Sequence, residues 1–156
     1  MLTTAMAIQV AVVGSGAEWE TSAEEVGRLL AECGCTVVTG GLDGVMAAAH
    51  RGAKTAGGVT LAILPGENRN AANRWADHVV VTGIGHARNL AVAASGEVVI
   101  AIGGSYGTIA EMALALRLGR RVVALEGAPE VDGTLSAATP AEAVQLALRN
   151  LGEAPT

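Results

Sequence analysis

The chain of 156 residues contains no phenylalanine, one tyrosine and two tryptophans. A core without aromatic rings must be filled by Val, Ala, Leu and Ile, which suits a parallel sheet covered by closely packed helices. The same scarcity removes the platforms on which unpaired bases stack. With a net charge of −5 there is also no basic stripe, so nucleic acid is not an expected partner. Long apolar runs are missing as well. Glycine, present 21 times, interrupts each run before it could cross a bilayer, and no membrane partner is expected. No basic residue precedes Ile8, so no leader peptide is expected and the cytoplasm is the expected location. Cysteine is confined to Cys33 and Cys35. Their C-x-C spacing is poor for a disulfide, and no second ligand pair accompanies them for zinc. Two buried thiols and no metal site are the expectation.

What is present is a regular alternation of short apolar runs with amphipathic stretches. Ile8–Val13, Thr36–Thr39, Val59–Leu64, His78–Val81, Val98–Ile102 and Arg121–Leu125 read as strands. Between them lie helical patterns. One is expected from a capping box at Thr21 and Ser22 to about Cys33, and one opens at Asp43 or Gly44. Others run from Asn89 to Ala94 and from Ile109 to Gly119, and a last one extends from Pro140 to near Leu151 with Thr139 as its N-cap. Pro129–Thr139 reads as irregular. The pattern predicts an α/β fold: one doubly wound domain over residues 1–156, a mostly parallel sheet of six or seven strands with helices on both faces. With strand order 3-2-1-4-5-6, the order reverses between the first and fourth strands, and a ligand crevice is expected there.

The turns after the strands are unusual. Val98–Glu111 runs from a β-branched strand through Gly103, Gly104 and Gly107 into a helix. Such a turn aims free backbone N–H groups, and the positive end of a helix, at whatever lies above the sheet, and an anion fits there. Gly103, Gly104, Ser105, Tyr106, Gly107 and Thr108 are therefore candidate phosphate ligands. The stretch is not a Walker A loop, because no Lys-Ser/Thr pair follows the glycines. Gly14 and Ser15 end the first strand beside it, but Trp19 stands where a dinucleotide fingerprint has its third glycine. Gly40 and Gly41 end the second strand. Arg88 opens a helix, where its charge opposes the dipole, a placement that an anionic ligand would explain and that solvation would also permit. Asn89 could bond the ligand or cap the turn, and His86 is open in the same way. Glu111, three residues past Thr108, leans back toward the crevice, where it could orient a water or steady a developing cation. A first-turn Glu also favours a helix without any function. The polar loop Glu67–Trp75 has no role that its residues specify.

Taken together, Thr39-Gly40-Gly41-Leu42-Asp43-Gly44-Val45-Met46, Gly85-His86-Ala87-Arg88-Asn89 and Gly103-Gly104-Ser105-Tyr106-Gly107-Thr108-Ile109-Ala110-Glu111 resemble the SLOG superfamily. That group includes the Lonely Guy phosphoribohydrolases, once called lysine decarboxylases, and the molybdenum-cofactor carriers. The similarity runs from about Ile8 to Leu125 and implies a Rossmann-like nucleotide-binding domain. It implies that Gly104, Gly107 and Thr108 hold a phosphate, and that Arg88 and Glu111 match a catalytic pair. The corresponding reaction is hydrolysis of the N-glycosidic bond of a nucleoside 5′-monophosphate, giving free base and ribose 5-phosphate. It passes through an oxocarbenium-like sugar that a carboxylate steadies.

This chain departs from the hydrolase signature, P-G-G-x-G-T-x-x-E with an upstream Arg-Lys pair, at three places. Gly103 replaces Pro, Ser105 replaces the second Gly, and Asn89 replaces the Lys after the Arg. Gly-Ile-Gly-His-Ala-Arg-Asn looks more like the branch beside the molybdenum-cofactor carriers. The resemblance thus implies a binding or carrier protein for a phosphorylated, nucleotide- or molybdopterin-type ligand, with the phosphoribohydrolase as the alternative. It implies no required cofactor, and a homodimer or homotetramer.

Overall fold

The computed structural model describes residues 5–151. Residues 1–4, which enter the expectation about a leader peptide, lie outside the described residues. The strands are β1 (Gln9–Ser15), β2 (Thr36–Thr39), β3 (Val59–Leu64), β4 (His78–Val81), β5 (Val98–Gly103), β6 (Arg121–Ala124) and β7 (Leu135–Ser136). The helices are α1 (Glu20–Glu32), α2 (Val45–Thr55), α3 (Arg88–Ser95), α4 (Tyr106–Arg117) and α5 (Pro140–Leu148). They build the doubly wound parallel sheet that the alternation predicts.

The strand order is β4-β3-β2-β1-β5-β6-β7 and every described pairing is parallel. This corrects the expected order. β4 extends the β1–β3 side as its edge, instead of pairing with β1. The reversal falls between β1 and β5, where Gly14 pairs with Ile102 and Ser15 with Gly103. β4 carries only four residues and continues the winding begun by β2 and β3, so the long return to the sheet centre falls to α3. The crevice consequently opens above β1 and β5, and α3 enters it from the far edge.

The core has two layers. One joins α1, α2 and α5 to the sheet through Val26, Leu30, Val45, Ala48, Ala49 and Ala143. The other joins α3 and α4 through Val92, Ala93, Met112 and Ala115. β5 is buried along its whole length, as a central parallel strand requires. Small residues set the spacing of α1 and α2. A Cβ at Gly27 would stand 1.9 Å from the Ala49 carbonyl oxygen, and one at Gly52 would stand 1.8 Å from that of Glu24. The two helices therefore touch backbone to backbone, and no side chain can replace either hydrogen.

Local details differ from expectation in four places. Thr21 and Ser22 lie inside α1 and cap nothing. A 3-10 turn, Ala17–Trp19, runs straight into the helix and satisfies its first N–H groups with backbone carbonyls. α4 begins at Tyr106 rather than after Thr108, so Tyr106, Gly107 and Thr108 form its first turn. Leu135–Ser136 adds a short edge strand to a segment read as irregular. Cys33 is exposed while Cys35 is buried, because Cys33 follows the end of α1 and Cys35 leads into β2.

Candidate functional site

The site begins with the end of α4. Its first i→i−4 bond is donated by the Ile109 N–H to the Ser105 carbonyl (3.0 Å), so the N–H groups ahead of it have no intrahelical acceptor. Ser105 and Thr108 form a capping box, in which the Ser105 N–H donates to Thr108 Oγ1 (3.3 Å). That leaves the Thr108 proton, and the N–H groups of Tyr106 and Gly107, available to an anion. Beside the end of β1 this turn closes one side of a cavity of about 160 Å3. Gly14, Ser15, Met46, His86, Arg88, Asn89, Ser105, Gly107, Thr108 and Glu111 are among its lining residues.

The return from β4 places Arg88 at the first position of α3, where it is only 8% exposed. One guanidinium nitrogen donates to Asn89 Oδ1 (2.6 Å) and another to the Gly40 carbonyl (3.3 Å). Its Nε is buried without a partner. Among the described residues no carboxylate lies within ion-pair distance of it. Burial lowers the Arg88 pKa from its ordinary value, and the Glu111 charge works against that. The group stays a cation all the same, held in a cavity with its charge uncompensated by contact.

Glu111 faces Arg88 from one turn inside α4 and is 8% exposed. Burial pushes its carboxyl up from 4.5 to about 7, and the Arg88 charge offsets only part of this. Near neutral pH it is therefore divided between acid and carboxylate. It can donate a proton, accept one, or bond a ligand hydroxyl.

A second network lies behind Arg88, and no motif in the sequence marks it. His50 of α2 is fully buried. Its Nδ1 lies 3.2 Å from Asn73 Nδ2, which can only donate, so Nε2 carries the proton toward Thr39 Oγ1 (3.1 Å). Thr39 Oγ1 accepts the Gly41 N–H (3.0 Å), and Asn73 also reaches the carbonyls of Gly41 and Leu42. Burial lowers the His50 pKa from 6.5 to about 4, so the ring is neutral. The polar loop Glu67–Trp75 thus serves through Asn73 as a clamp on the turn after β2, whose Gly40 carbonyl in turn orients Arg88.

The structure brings Arg88, Asn89, Glu111, Gly14, Ser15, Ser105, Gly107 and Thr108 around one cavity, with Met46 and His86 added. Gly103, Gly104 and Tyr106 belong to the same turn without lining it, and Tyr106 is 90% exposed. Gly40 and Gly41 stand behind Arg88 instead of at the cavity wall. Asn89 bonds Arg88. Among the described residues no group of three or more His, Cys, Asp or Glu could hold a metal ion, and no helix is long and apolar enough to cross a membrane.

A parallel sheet whose reversal point joins a helix N-terminus to a buried arginine defines a Rossmann-like α/β protein with its crevice at the topological switch. The chain matches the SLOG cluster4 family over residues 7–150, and it belongs to that family. A protein of Archaeoglobus fulgidus is 42% identical over 140 residues, covering 88% of this chain and 92% of its own. The molybdenum cofactor binding protein of Rippkaea orientalis superposes with a TM-score of 0.85 at 31% identity, over 92% of this chain and 96% of that one. The molybdenum cofactor carrier protein of Chlamydomonas reinhardtii gives 0.82 at 33%, over 90% and 96%.

Proposed function

We propose that the protein binds and carries a small phosphorylated ligand, a nucleotide or a molybdopterin-type compound, with its phosphate at the start of α4. The observation that carries this reading is Arg88. A buried guanidinium without an ion pair and with an unpartnered Nε costs several kcal/mol. A phosphate between Arg88 and the Gly107–Thr108 turn would remove that cost with charge-assisted bonds. The likeness to molybdenum-cofactor carriers supports the carrier role and makes the molybdenum cofactor one candidate cargo.

Thermal denaturation with nucleoside 5′-monophosphates and with molybdopterin tests the reading. A ligand at 100 times its Kd adds about 2.7 kcal/mol to stability. Stabilisation that is absent in Arg88→Ala supports the proposal, and no stabilisation by any phosphorylated compound refutes it. A second reading has its own support, since Glu111 shares the cavity with Arg88. That pair would suit N-glycosidic hydrolysis, with the carboxylate form of Glu111 guiding water to the sugar carbon. Release of free base and ribose 5-phosphate that is lost in Glu111→Ala would establish this activity. We also propose a homo-oligomer, because β4 exposes Val80 and Val81 at the sheet edge beside exposed Ile84 and Leu90.

A further inference from the structure

We propose that Trp19 fixes the boundary of the ligand site: its indole closes the crevice between the ends of β5 and β6, so that the site takes a ligand with one phosphorylated unit and rejects a dinucleotide. The inference rests on the phosphate site proposed above. Trp19 ends the 3-10 turn after β1 and is partly buried against the core. Its ring lies across two chain segments at once. A Cβ on Gly103 would stand 2.1 Å from Trp19 Cδ1, and one on Gly127 would stand 2.3 Å from Cζ2. The Gly103 N–H donates to the Glu126 carbonyl (3.1 Å), which draws these segments together at the indole. Two bare glycines thus make the slot in which the ring sits.

Two spaces open beside the segments that the ring touches. One is the cavity of about 160 Å3 that Ser15 and Ser105 help to line. The other is a cleft of about 740 Å3, bordered by Leu125, Glu126 and Ala128, the neighbours of Gly127. Sites for small molecules usually measure about 300–1,000 Å3. The smaller cavity holds a phosphate and little else, so the rest of any ligand must leave it. A dinucleotide on a doubly wound sheet spans both sides of the switch point. With the indole barring the β6 side, a ligand is left the side of the cavity that Met46 and His86 line.

Titration calorimetry with AMP and with NAD+ tests the proposal on the wild type, Trp19→Ala and Trp19→Leu. The wild type should bind AMP at least about tenfold more tightly than NAD+. Trp19→Ala should bring the two affinities within about threefold by strengthening NAD+ binding, and Trp19→Leu should fall between. Circular dichroism checks the fold, and Trp19→Leu alone carries the comparison if the Ala variant does not fold. NAD+ binding to the wild type as tight as that of AMP, or a ratio unchanged in the folded variants, overturns the proposal. If the wild type binds neither AMP nor inorganic phosphate, the phosphate site itself fails and this inference falls with it.

Discussion

Replacing Glu111 by Gln should make the protein more stable, although it removes a charge that faces a cation. The Glu111 carboxyl titrates near 4.5 in the unfolded chain and is pushed up to about 7 by burial in the fold. The native state therefore holds the Glu111 proton more tightly than the unfolded chain does. Its contribution to stability is fully present below pH 4.5 and is lost as the pH rises through 7. At about 1.4 kcal/mol per pH unit, the ionised group costs the fold about 3 kcal/mol above pH 7. Gln cannot ionise and avoids that cost. In a domain of this size 1 kcal/mol moves Tm by about 2–4 °C, so Glu111→Gln should melt about 6–12 °C higher at pH 8.

His50 supplies an internal control. Its pKa falls from 6.5 to about 4 on folding, so its contribution is present above pH 6.5 and lost as the pH falls through 4. The two slopes oppose each other between pH 4.5 and 6.5. Wild-type stability should be nearly flat across that interval. The Gln variant should lose its advantage there and uncover the His50 slope, about 1.4 kcal/mol per pH unit at its steepest. Urea denaturation at a series of pH values measures both curves. If Glu111→Gln is no more stable than the wild type at pH 8, attraction to Arg88 outweighs burial and the strained-carboxylate reading is wrong.

Three further outcomes are expected. Arg88→Ala should weaken binding of AMP or inorganic phosphate by about 10- to 100-fold in calorimetry, the worth of one charged hydrogen-bonding group. Arg88→Lys should restore little of it, since an ammonium cannot reach Asn89, Gly40 and the ligand together. Gly52→Ala, which in an exposed helix would stabilise by about 1 kcal/mol, should instead destabilise by more than that amount, because its methyl meets the Glu24 carbonyl oxygen. Asn73→Ala should lower both stability and phosphate affinity in the same assays, because His50 and the turn that orients Arg88 lose their clamp.

The elements were legible because each strand is a short β-branched run closed by glycine or a polar turn, as Val59–Leu64 and Val98–Gly103 show. Helix starts were less so. Thr21 and Ser22 carry the residue types of a capping box, but the backbone of the preceding turn had already met the need they would serve. Strand order was misplaced at β4 because local sequence says nothing about which edge a strand joins. Glycine turns and an arginine set against its helix dipole point to Gly14, Ser15, Arg88, Asn89, Ser105, Gly107, Thr108 and Glu111 at the cavity, but not to Met46, and they also point to Gly40, Gly41, Gly103, Gly104 and Tyr106, which do not line it. The His50 network could not be named in that way, since a histidine within Ala47–Ala53 has no local mark of burial, and Asn73 is 23 residues away from it. Trp19 was visible only as a departure from a glycine pattern, and what the ring covers emerged from the contact of two distant loops.

The shortage of aromatic residues leaves the near-ultraviolet spectrum to Trp19, Trp75 and Tyr106. Trp19 stands against the Gly103 turn, and Arg51 and Arg74 each hold a guanidinium group over the Trp75 ring, at 5.1 and 5.5 Å. A chain with Phe in place of Trp75 keeps a single indole, standing against the Gly103 turn. Its emission then becomes an unlabelled optical signal of what occupies the crevice, readable in real time by stopped flow.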